Sequence, residues 1–344
     1  MRLTRRQACA SSFYVYSSLM LSNLFGAIGC GIVEKAVEPD LLTSLAFGSC
    51  NKQDMLTKHW PIITGKNAQS WLWMGDAIYA DGMEPKVRAK EYQKLLDDKG
   101  YQALTTSSYI MGTWDDHDYA SNDSGAEYAD KVESQKVFLD FLGEPLDSAR
   151  RTQQGVYLAK DIGKIENQVQ FILLDMRYFK EKSGVSADPI GPAQWLWLEE
   201  QIRKTGPALK VIVSSIQLLT DFTGRDTWAC FPEAQTRFMN LLATSNAPVF
   251  VVSGDRHLTE TSKKQLTPDR IIHEITSSGL THTTELRNSN IYRVQEQILE
   301  TNFGLLNLEW DVTGKPLLKS LRSSLFSPQS GSLLREFSIP LTWG

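Results

Sequence analysis

The sequence has few histidines and few cysteines. Its 344 residues include only five histidines and four cysteines. A metal site built mainly of imidazole would use nearly all of these histidines, whereas a site built mainly of carboxylates needs fewer. If the chain binds metal, its composition therefore favours hard cations such as Fe³⁺ or Ca²⁺, although other divalent metals remain open.

The chain also lacks an excess of positive charge. Its formal net charge is -4. A general nucleic-acid binder usually has a basic surface, and no such surface is evident here. A small phosphate-bearing substrate is not excluded, because a bound metal ion can reverse the local field.

Two further features are missing. After the first thirty residues no segment is long and apolar enough to span a bilayer. The chain also has no Gly-x-Ser-x-Gly elbow, which argues against an esterase that uses a serine nucleophile.

The N-terminus differs from the rest of the chain. Arg2, Arg5 and Arg6 precede an uncharged, mostly apolar run that ends in Ala-Ile-Gly-Cys30. This order predicts an export signal over residues 1–30, with a twin-arginine or a lipoprotein type left open. A membrane anchor that is never cleaved is the alternative. We expect a periplasmic or cell-envelope protein, in which Cys30 carries a lipid anchor if the signal is of the lipoprotein type.

If Cys30 carries a lipid, two cysteines remain in the exported chain, Cys50 and Cys230. A disulfide between them can form in an oxidising compartment. A thiolate at Cys50 would alternatively be a soft metal ligand, and a small buried residue is the plainer interpretation.

Short apolar runs that end abruptly in polar residues recur along the chain. They indicate strands covered on both faces. The runs are Leu45–Cys50, Trp71–Asp76, Tyr109–Asp115, Phe171–Arg177, Val211–Gln217, Val249–Asp255 and Ile272–Ser278.

Helical patterns lie between several of these runs. Pro192 and Pro232 can each open a helix, and Ser124 can cap one that reaches Leu142 with Val132 on its apolar face. Strands that alternate with helices predict an α/β sheet, whose functional residues gather beyond the carboxyl ends of the strands. From residue 302 onward the pattern changes to a β-hairpin that closes the same core.

The most acidic of these strand ends is Trp114-Asp-Asp-His-Asp118. Asn122 and Asp123 follow it closely. Carboxylates this close repel one another, so the stretch either meets a positive partner or forms a solvated turn. The sequence alone supports a metal site and a turn equally well.

Three other strand ends carry chemistry-bearing residues. Asp76 is placed to bridge two metal ions, while Asp255 and His257 alternate as in a strand and can face one side with Arg256 between them. Asp175 and Arg177 are either an ion pair that braces the site or, through Arg177, an anion contact for the substrate. A turn carboxylate and a solvated histidine are the plainer alternatives.

Taken together, these pieces resemble the PhoD-like alkaline phosphatase family of the metallophosphoesterases. The resemblance covers about residues 44 to 310. It rests on Phe47-Gly-Ser-Cys50, Gly75-Asp-Ala-Ile-Tyr79, Trp114-Asp-Asp-His-Asp118 with Asn122, Leu174-Asp-Met-Arg177 and Gly254-Asp-Arg-His257.

The resemblance implies a sandwich of two mixed β-sheets flanked by helices, forming one domain over residues 31–344. It also implies hydrolysis of phosphate monoesters or diesters, by a hydroxide activated by iron and calcium. The substrate is then a small phosphate ester or a lipid headgroup. A non-catalytic exported lipoprotein that binds phosphate ligands is the alternative.

The resemblance also implies roles for single residues. Asp76 would bridge the metals and Cys50 would ligate iron. Tyr92 would supply a phenolate, with Tyr79 as the alternative. Asn122, Asp116 and Asp255 would complete the second metal shell, with Asp115 as the alternative to Asp116. The expected proton donor is His257 or His117, Arg256 acts beside it, and Arg177 and Asn122 are the expected substrate contacts.

Overall fold

The computed structural model describes residues 35–55, 59–341 and 343. Within them, twelve strands form two six-stranded sheets. The strands are β1 Ser44–Gly48, β2 Ser70–Met74, β3 Tyr109–Thr113, β4 Leu158–Ile162, β5 Val169–Leu173, β6 Leu209–Ser214, β7 Val249–Ser253, β8 Thr259–Thr267, β9 Arg270–Ser277, β10 Phe303–Asp311, β11 Leu317–Phe326 and β12 Leu333–Pro340. The α-helices are α1 His59–Thr64, α2 Pro85–Asp97, α3 Lys99–Ser107, α4 Asp116–Tyr119, α5 Lys131–Leu142, α6 Gly191–Arg203 and α7 Pro232–Leu242.

Both sheets are mixed. The first has the order β12-β11-β10-β1-β2-β3, in which β1, β2 and β3 are parallel and β10 is antiparallel to β1. The second has the order β4-β5-β6-β7-β9-β8, in which β5, β6, β7 and β9 are parallel. The predicted sandwich of two mixed sheets is therefore confirmed.

Successive side chains of a strand point to opposite faces of its sheet, and together they form three apolar layers. In β2, Leu72 and Met74 point into the core between the sheets, whereas Trp71 and Trp73 point outward beneath the helices. The outer face of the second sheet is covered by α6 and α7 through residues such as Trp195 and Phe238. The parallel strands at the centre of both sheets are thus buried on both faces, which explains why β2, β5, β6 and β7 are continuous apolar runs. Strands β11 and β12 instead alternate between buried and exposed residues.

The predicted helices after Pro192 and Pro232 are confirmed as α6 and α7. The predicted start at Ser124 is wrong, because the chain first forms a turn in which the Ala126 amide donates to the Lys180 carbonyl. The helix α5 begins at Lys131, and Val132 is exposed.

The predicted C-terminal hairpin is confirmed as β10 and β11, and β12 extends it. Strands β4 and β8 were not predicted. Both lie at a sheet edge, and β8 has the polar sequence TETSKKQLT, so neither forms an apolar run. Edge strands often carry charged residues because one side of the backbone ladder is open.

Two glycines let the strand ends of the two sheets approach closely. A Cβ on Gly75 would lie 2.4 Å from the Cβ of Asp115, and one on Gly254 would lie 2.5 Å from the Met74 carbonyl oxygen. Gly75 also has a φ of +90°. Side chains at these positions would force the ends of β2, β3 and β7 apart.

The predictions for the N-terminus fall outside the described residues. This holds for the export signal over residues 1–30 and for the lipid on Cys30. Among the residues that the structure describes, no helix has the length and apolar character needed to cross a membrane.

Candidate active site

Strained backbone marks the edge where the strands end. Among the described residues, six that are not glycine have positive φ. Four of these six lie within four residues after the ends of β1, β2 and β7, namely Cys50, Asp76, Asp255 and His257. Such conformations cost about 1–3 kcal/mol each and persist only where the surrounding structure enforces them. Asp255 and His257 therefore belong to a tight turn. The prediction that they alternate along a strand is wrong.

The first group of side chains surrounds one oxygen of Asp76. The Cys50 thiol and the Tyr79 hydroxyl both donate to its Oδ2, each over 3.3 Å. The Tyr79 hydroxyl also lies 3.1 Å from Nε2 of His257. Ligand atoms of Cys50, Asp76 and His257 lie within 4.8 Å of one another, which is close enough to share a metal ion.

A second group lies on the other side of Asp76. Ligand atoms of Asp115, Asp116 and Asp255 also lie within 4.8 Å of one another, and Asp76 shares a further such group with Asp116 and His117. Asp115, Asp116 and Asp118 are at most 1% exposed. The acidic stretch is therefore not a solvated turn.

Arg177 is the positive partner of the acidic stretch. It is fully buried, and its Nε donates to Asp115 over 2.5 Å while Nη1 donates to Asp226 over 2.7 Å. A buried guanidinium held in this way braces the cluster. The predicted ion pair between Asp175 and Arg177 is not formed, because the only group of Arg177 that donates to Asp175 is its backbone amide. Arg177 instead braces the site through Asp115 and Asp226. Its contact with a substrate stays a prediction.

Burial governs the protonation of the cluster. Burial and then the neighbouring carboxylates raise the pKa of Asp76 and of Asp255 well above the usual range. Burial raises the pKa of Asp115 to about 7 even though Arg177 opposes the shift. Burial acts in the same direction on Asp116, but Arg177, His117 and two backbone amides outweigh it and lower the pKa. A cation placed among these groups would remove the repulsion.

Several oxygens of the cluster accept no hydrogen bond. In the described part of the chain, Asp76 Oδ1, Asp115 Oδ2 and Asp255 Oδ2 are buried without a partner. Buried polar atoms are normally satisfied, and an exception calls for a cause. Oxygens, a thiol, a phenol and imidazoles are suitable ligands for metal ions, so the residues present fit a metal centre of the implied kind.

The remaining predicted residues lie at different distances from this centre. Tyr92 lies on α2, and its hydroxyl donates to Asp118 over 2.8 Å. Tyr79 contacts Asp76 directly, so the geometry favours Tyr79 as the phenol ligand. Asn122 is exposed in the loop after α4 and has no hydrogen bond within the described residues. The structure leaves its predicted role without a contact.

The two histidines predicted to assist catalysis contact Tyr79, whereas Arg256 contacts other residues. His117 is held through Nδ1 by Asp81 over 2.8 Å, and its ring lies 4.1 Å from that of Tyr79. Arg256 is 3% exposed, stacks on Phe222 and donates to Asn288 over 2.9 Å. The cysteines Cys50 and Cys230 are both free, so the disulfide that the sequence left open is not formed.

Sequence reasoning missed three neighbours of the cluster. The Ser215 hydroxyl donates to Asp115 over 2.5 Å, and Asp226 pairs with Arg177. The ring of His282 lies 4.3 Å from that of His257. Ser215 follows a predicted strand and was detectable by its position, whereas Asp226 and His282 lie in long loops without a local signal.

Comparison with known proteins agrees with this geometry. A family model described as PhoD-like phosphatase matches residues 45–311, which is more than half of the chain. A comparison with curated proteins gave no match.

The fold also occurs in solved structures. One described as PhoD aligns with a TM-score of 0.63 and 14% identity over 88% of this chain and 72% of that chain. GAP50, the anchor in the inner membrane complex of Plasmodium, aligns with a TM-score of 0.54 and 11% identity over 87% of this chain and 89% of that chain. A dimetal phosphatase from Danio rerio aligns with a TM-score of 0.51 and 11% identity over 88% of this chain and 100% of that chain. At such low identity these likenesses establish the fold alone.

Proposed function

The chain belongs to the PhoD-like phosphatase family, and from this premise we propose that its carboxylate cluster holds iron and calcium and hydrolyses small phosphate esters. The observation that carries the proposal is the convergence of three carboxylates, each with a buried oxygen that has no partner, from three different strand ends. Metal-dependent hydrolysis of phosphate esters follows from family membership. The identity of the metals and the roles of single residues belong to the proposal.

The two kinds of ligand suggest how the metals are divided. Cys50 and Tyr79 offer a thiolate and a phenolate, which suit Fe³⁺, while Asp115, Asp116 and Asp255 offer only oxygen, which suits Ca²⁺. Asp76 lies between both groups and would bridge them. Burial raises the pKa of Cys50 and of Tyr79, so both carry protons in the metal-free protein. Metal binding therefore has to release protons.

When bound, the metals neutralise the phosphoryl oxygens and lower the pKa of a water molecule that serves as nucleophile. The protein contributes position and charge. Arg177 holds Asp115, and Asp81 orients the His117 ring. A proton must reach the departing alkoxide, and His257 and His117, which both contact Tyr79, are the proposed donors. Burial lowers the pKa of His257 to about 3 in the metal-free protein, so its ring is neutral there and has to take up a proton before it can donate one.

Leaving-group chemistry tests the proton donor. Without its general acid, the enzyme should lose about 10²–10⁴-fold on an alkyl phosphate and far less on p-nitrophenyl phosphate, whose leaving group needs no proton. His257→Asn and His117→Asn are each assayed on both esters. The proton donor is the histidine whose replacement causes the larger loss of activity on the alkyl phosphate. Equal losses on both esters in both variants would rule out both histidines.

Metal depletion and refilling tests the proposed function itself. The purified protein is analysed for its elements, depleted with a chelator, refilled with iron and calcium, and assayed with a chromogenic monoester and a bis-ester. Restored hydrolysis is expected. The non-catalytic alternative predicts phosphate binding without turnover in the refilled protein, and nothing in the described residues favours it.

Export and a lipid on Cys30 are proposed from the sequence of residues 1–30 alone. Mass spectrometry of the mature N-terminus checks this proposal. A diacylated Cys30 supports it, and an intact Met1 in the cell contradicts it. An anchored enzyme would meet phosphate esters at the membrane surface, including lipid headgroups.

A further inference from the structure

A cavity of about 500 Å³ lies beside the carboxylate cluster. Its wall is formed by three loops, which follow β3, β5 and β6. Asp123 belongs to the first loop, Lys180 to the second, and Arg225, Asp226 and Cys230 to the third. Its size is within the range that holds small-molecule ligands.

The cavity and the cluster share a wall. The backbone amide of Asp123 donates to Asp116 over 2.7 Å. The Asp226 carboxylate pairs with Arg177, which in turn holds Asp115. Asp123 and Asp226 therefore link the cavity to the cluster.

The two cationic side chains in the cavity wall differ. Lys180 is 5% exposed, pairs with Asp226 over 3.0 Å and donates to the Asp123 carbonyl over 2.6 Å, so its charge is already used. Arg225 is exposed and forms no ion pair with any residue that the structure describes. Its guanidinium is available to a ligand.

We propose that this cavity binds the non-transferred part of the phosphate ester and that Arg225 selects esters with a second anionic group, a carboxylate or a further phosphate. The inference rests on the proposed function and deepens it. Asp123 is the acidic group in the wall that opposes this preference, since Asp226 is neutralised by Arg177 and Lys180.

Three esters with the same two-carbon skeleton test the selection in the metal-loaded enzyme. They are ethyl phosphate, which is neutral beyond its phosphate, 2-phosphoglycolate, which adds a carboxylate, and phosphoethanolamine, which adds an ammonium. The kcat/KM for phosphoglycolate should exceed that for ethyl phosphate about fivefold or more, because an Arg–carboxylate contact is charge-assisted. Phosphoethanolamine should be the poorest substrate.

Arg225→Gln should bring phosphoglycolate and ethyl phosphate to within about twofold of each other, and Arg225→Glu should favour phosphoethanolamine. Lys90→Gln is the matched control, because it removes the same charge from an exposed site on α2 that does not line the cavity. It should leave the substrate ratios unchanged. Equal rates for all three esters in the wild type, or ratios that survive Arg225→Gln, would overturn the inference. Failure to hydrolyse ethyl phosphate at all would instead contradict the proposed function.

Alkylation of Cys230 gives a readout that does not depend on turnover. This half-buried thiol lines the cavity and donates to the Arg225 carbonyl over 3.1 Å. The non-hydrolysable 3-phosphonopropionate carries a carboxylate that propylphosphonate lacks. It should slow the alkylation of Cys230 at a several-fold lower concentration than propylphosphonate. Arg225→Gln should remove this difference in concentration. Equal protection by the two phosphonates in the wild type would place the anionic group elsewhere.

Discussion

Two buried carboxylates, one inside a strand and one just beyond a strand, differ in how their oxygens are satisfied. Glu274 lies within β9, and its two oxygens accept the backbone amides of Leu218 and Leu219. Asp76 follows β2 on strained backbone, and its Oδ1 has no partner among the described residues. Burial raises the pKa of both. Burial of a carboxylate therefore does not by itself indicate a site, whereas an unsatisfied oxygen in a cluster of ligands does.

The largest expected effect separates these two residues directly. Asp76→Asn should lower kcat/KM for a phosphate ester at least about a thousandfold, because the bridging charge between the metals is lost. Glu274→Gln should stay within about threefold of the wild type, since Glu274 contacts only the scaffold. Steady-state kinetics on both variants is the measurement. A similar loss of kcat/KM in both variants would contradict the distinction between the site carboxylate Asp76 and the scaffold carboxylate Glu274.

Arg177 extends the comparison to the residue that braces the cluster. Arg177→Gln should lower the free energy of unfolding of the metal-free protein by about 3–5 kcal/mol, because it leaves Asp115 buried without its ion-pair partner and Asp226 paired with Lys180 alone. Urea denaturation measures the loss. Arg203→Gln, which removes an exposed pair with Glu199, should change stability by less than about 1 kcal/mol. A small loss at Arg177 would show that the cluster does not need the brace.

The pH dependence of stability sharpens the account of Glu274. Burial raises its pKa to about 7 from the ordinary 4.5. The protonated form therefore favours folding, and this contribution is complete below about pH 4.5 and lost as the pH rises through 7. Relative to Glu274→Gln, the wild type should lose on the order of 3 kcal/mol across this window. Parallel denaturation curves at pH 4.5 to 8 test it, and a constant difference between the proteins would contradict it.

The smallest expected effect comes from an apolar strand interior. Ile172→Val in β5 removes one methylene group from a fully buried side chain and should cost about 1 kcal/mol of stability. Metal content and kcat/KM should be unchanged, because the residue packs under α6 and away from the strand ends. Loss of metal in this variant would mean that core packing, and not only the strand ends, sets the site.

The sequence predicted the central strands and most of the candidate ligands that follow them. The central parallel strands are apolar runs because both of their faces are covered. The candidate ligands follow these strands because the strand ends meet at one edge. The motifs around Cys50, Asp76, Asp115 and Asp255 therefore indicated both the fold and the family.

What the sequence could not provide depends on tertiary contacts. Tyr79 and Tyr92 both lie at plausible spacing, and only the packing of α2 turns the Tyr92 hydroxyl toward Asp118. The pairing of Arg177 with Asp226 joins loops that are 49 residues apart in the chain. Edge strand β8 carries no apolar pattern although its first four residues are buried, because its outer edge pairs with the segment 292–298 through tertiary contacts that the local sequence does not reveal.

Metal-dependent stability tests the central claim most directly, namely that carboxylates from separate strand ends meet to hold metal ions. Thermal unfolding of the metal-depleted protein is followed with and without added iron and calcium, with elemental analysis of the refilled protein. The account predicts two bound ions per chain and a large rise in the unfolding temperature of the wild type, with both effects strongly reduced in Asp76→Asn and Asp255→Asn. An equal rise and equal metal content in the wild type and both variants would contradict it.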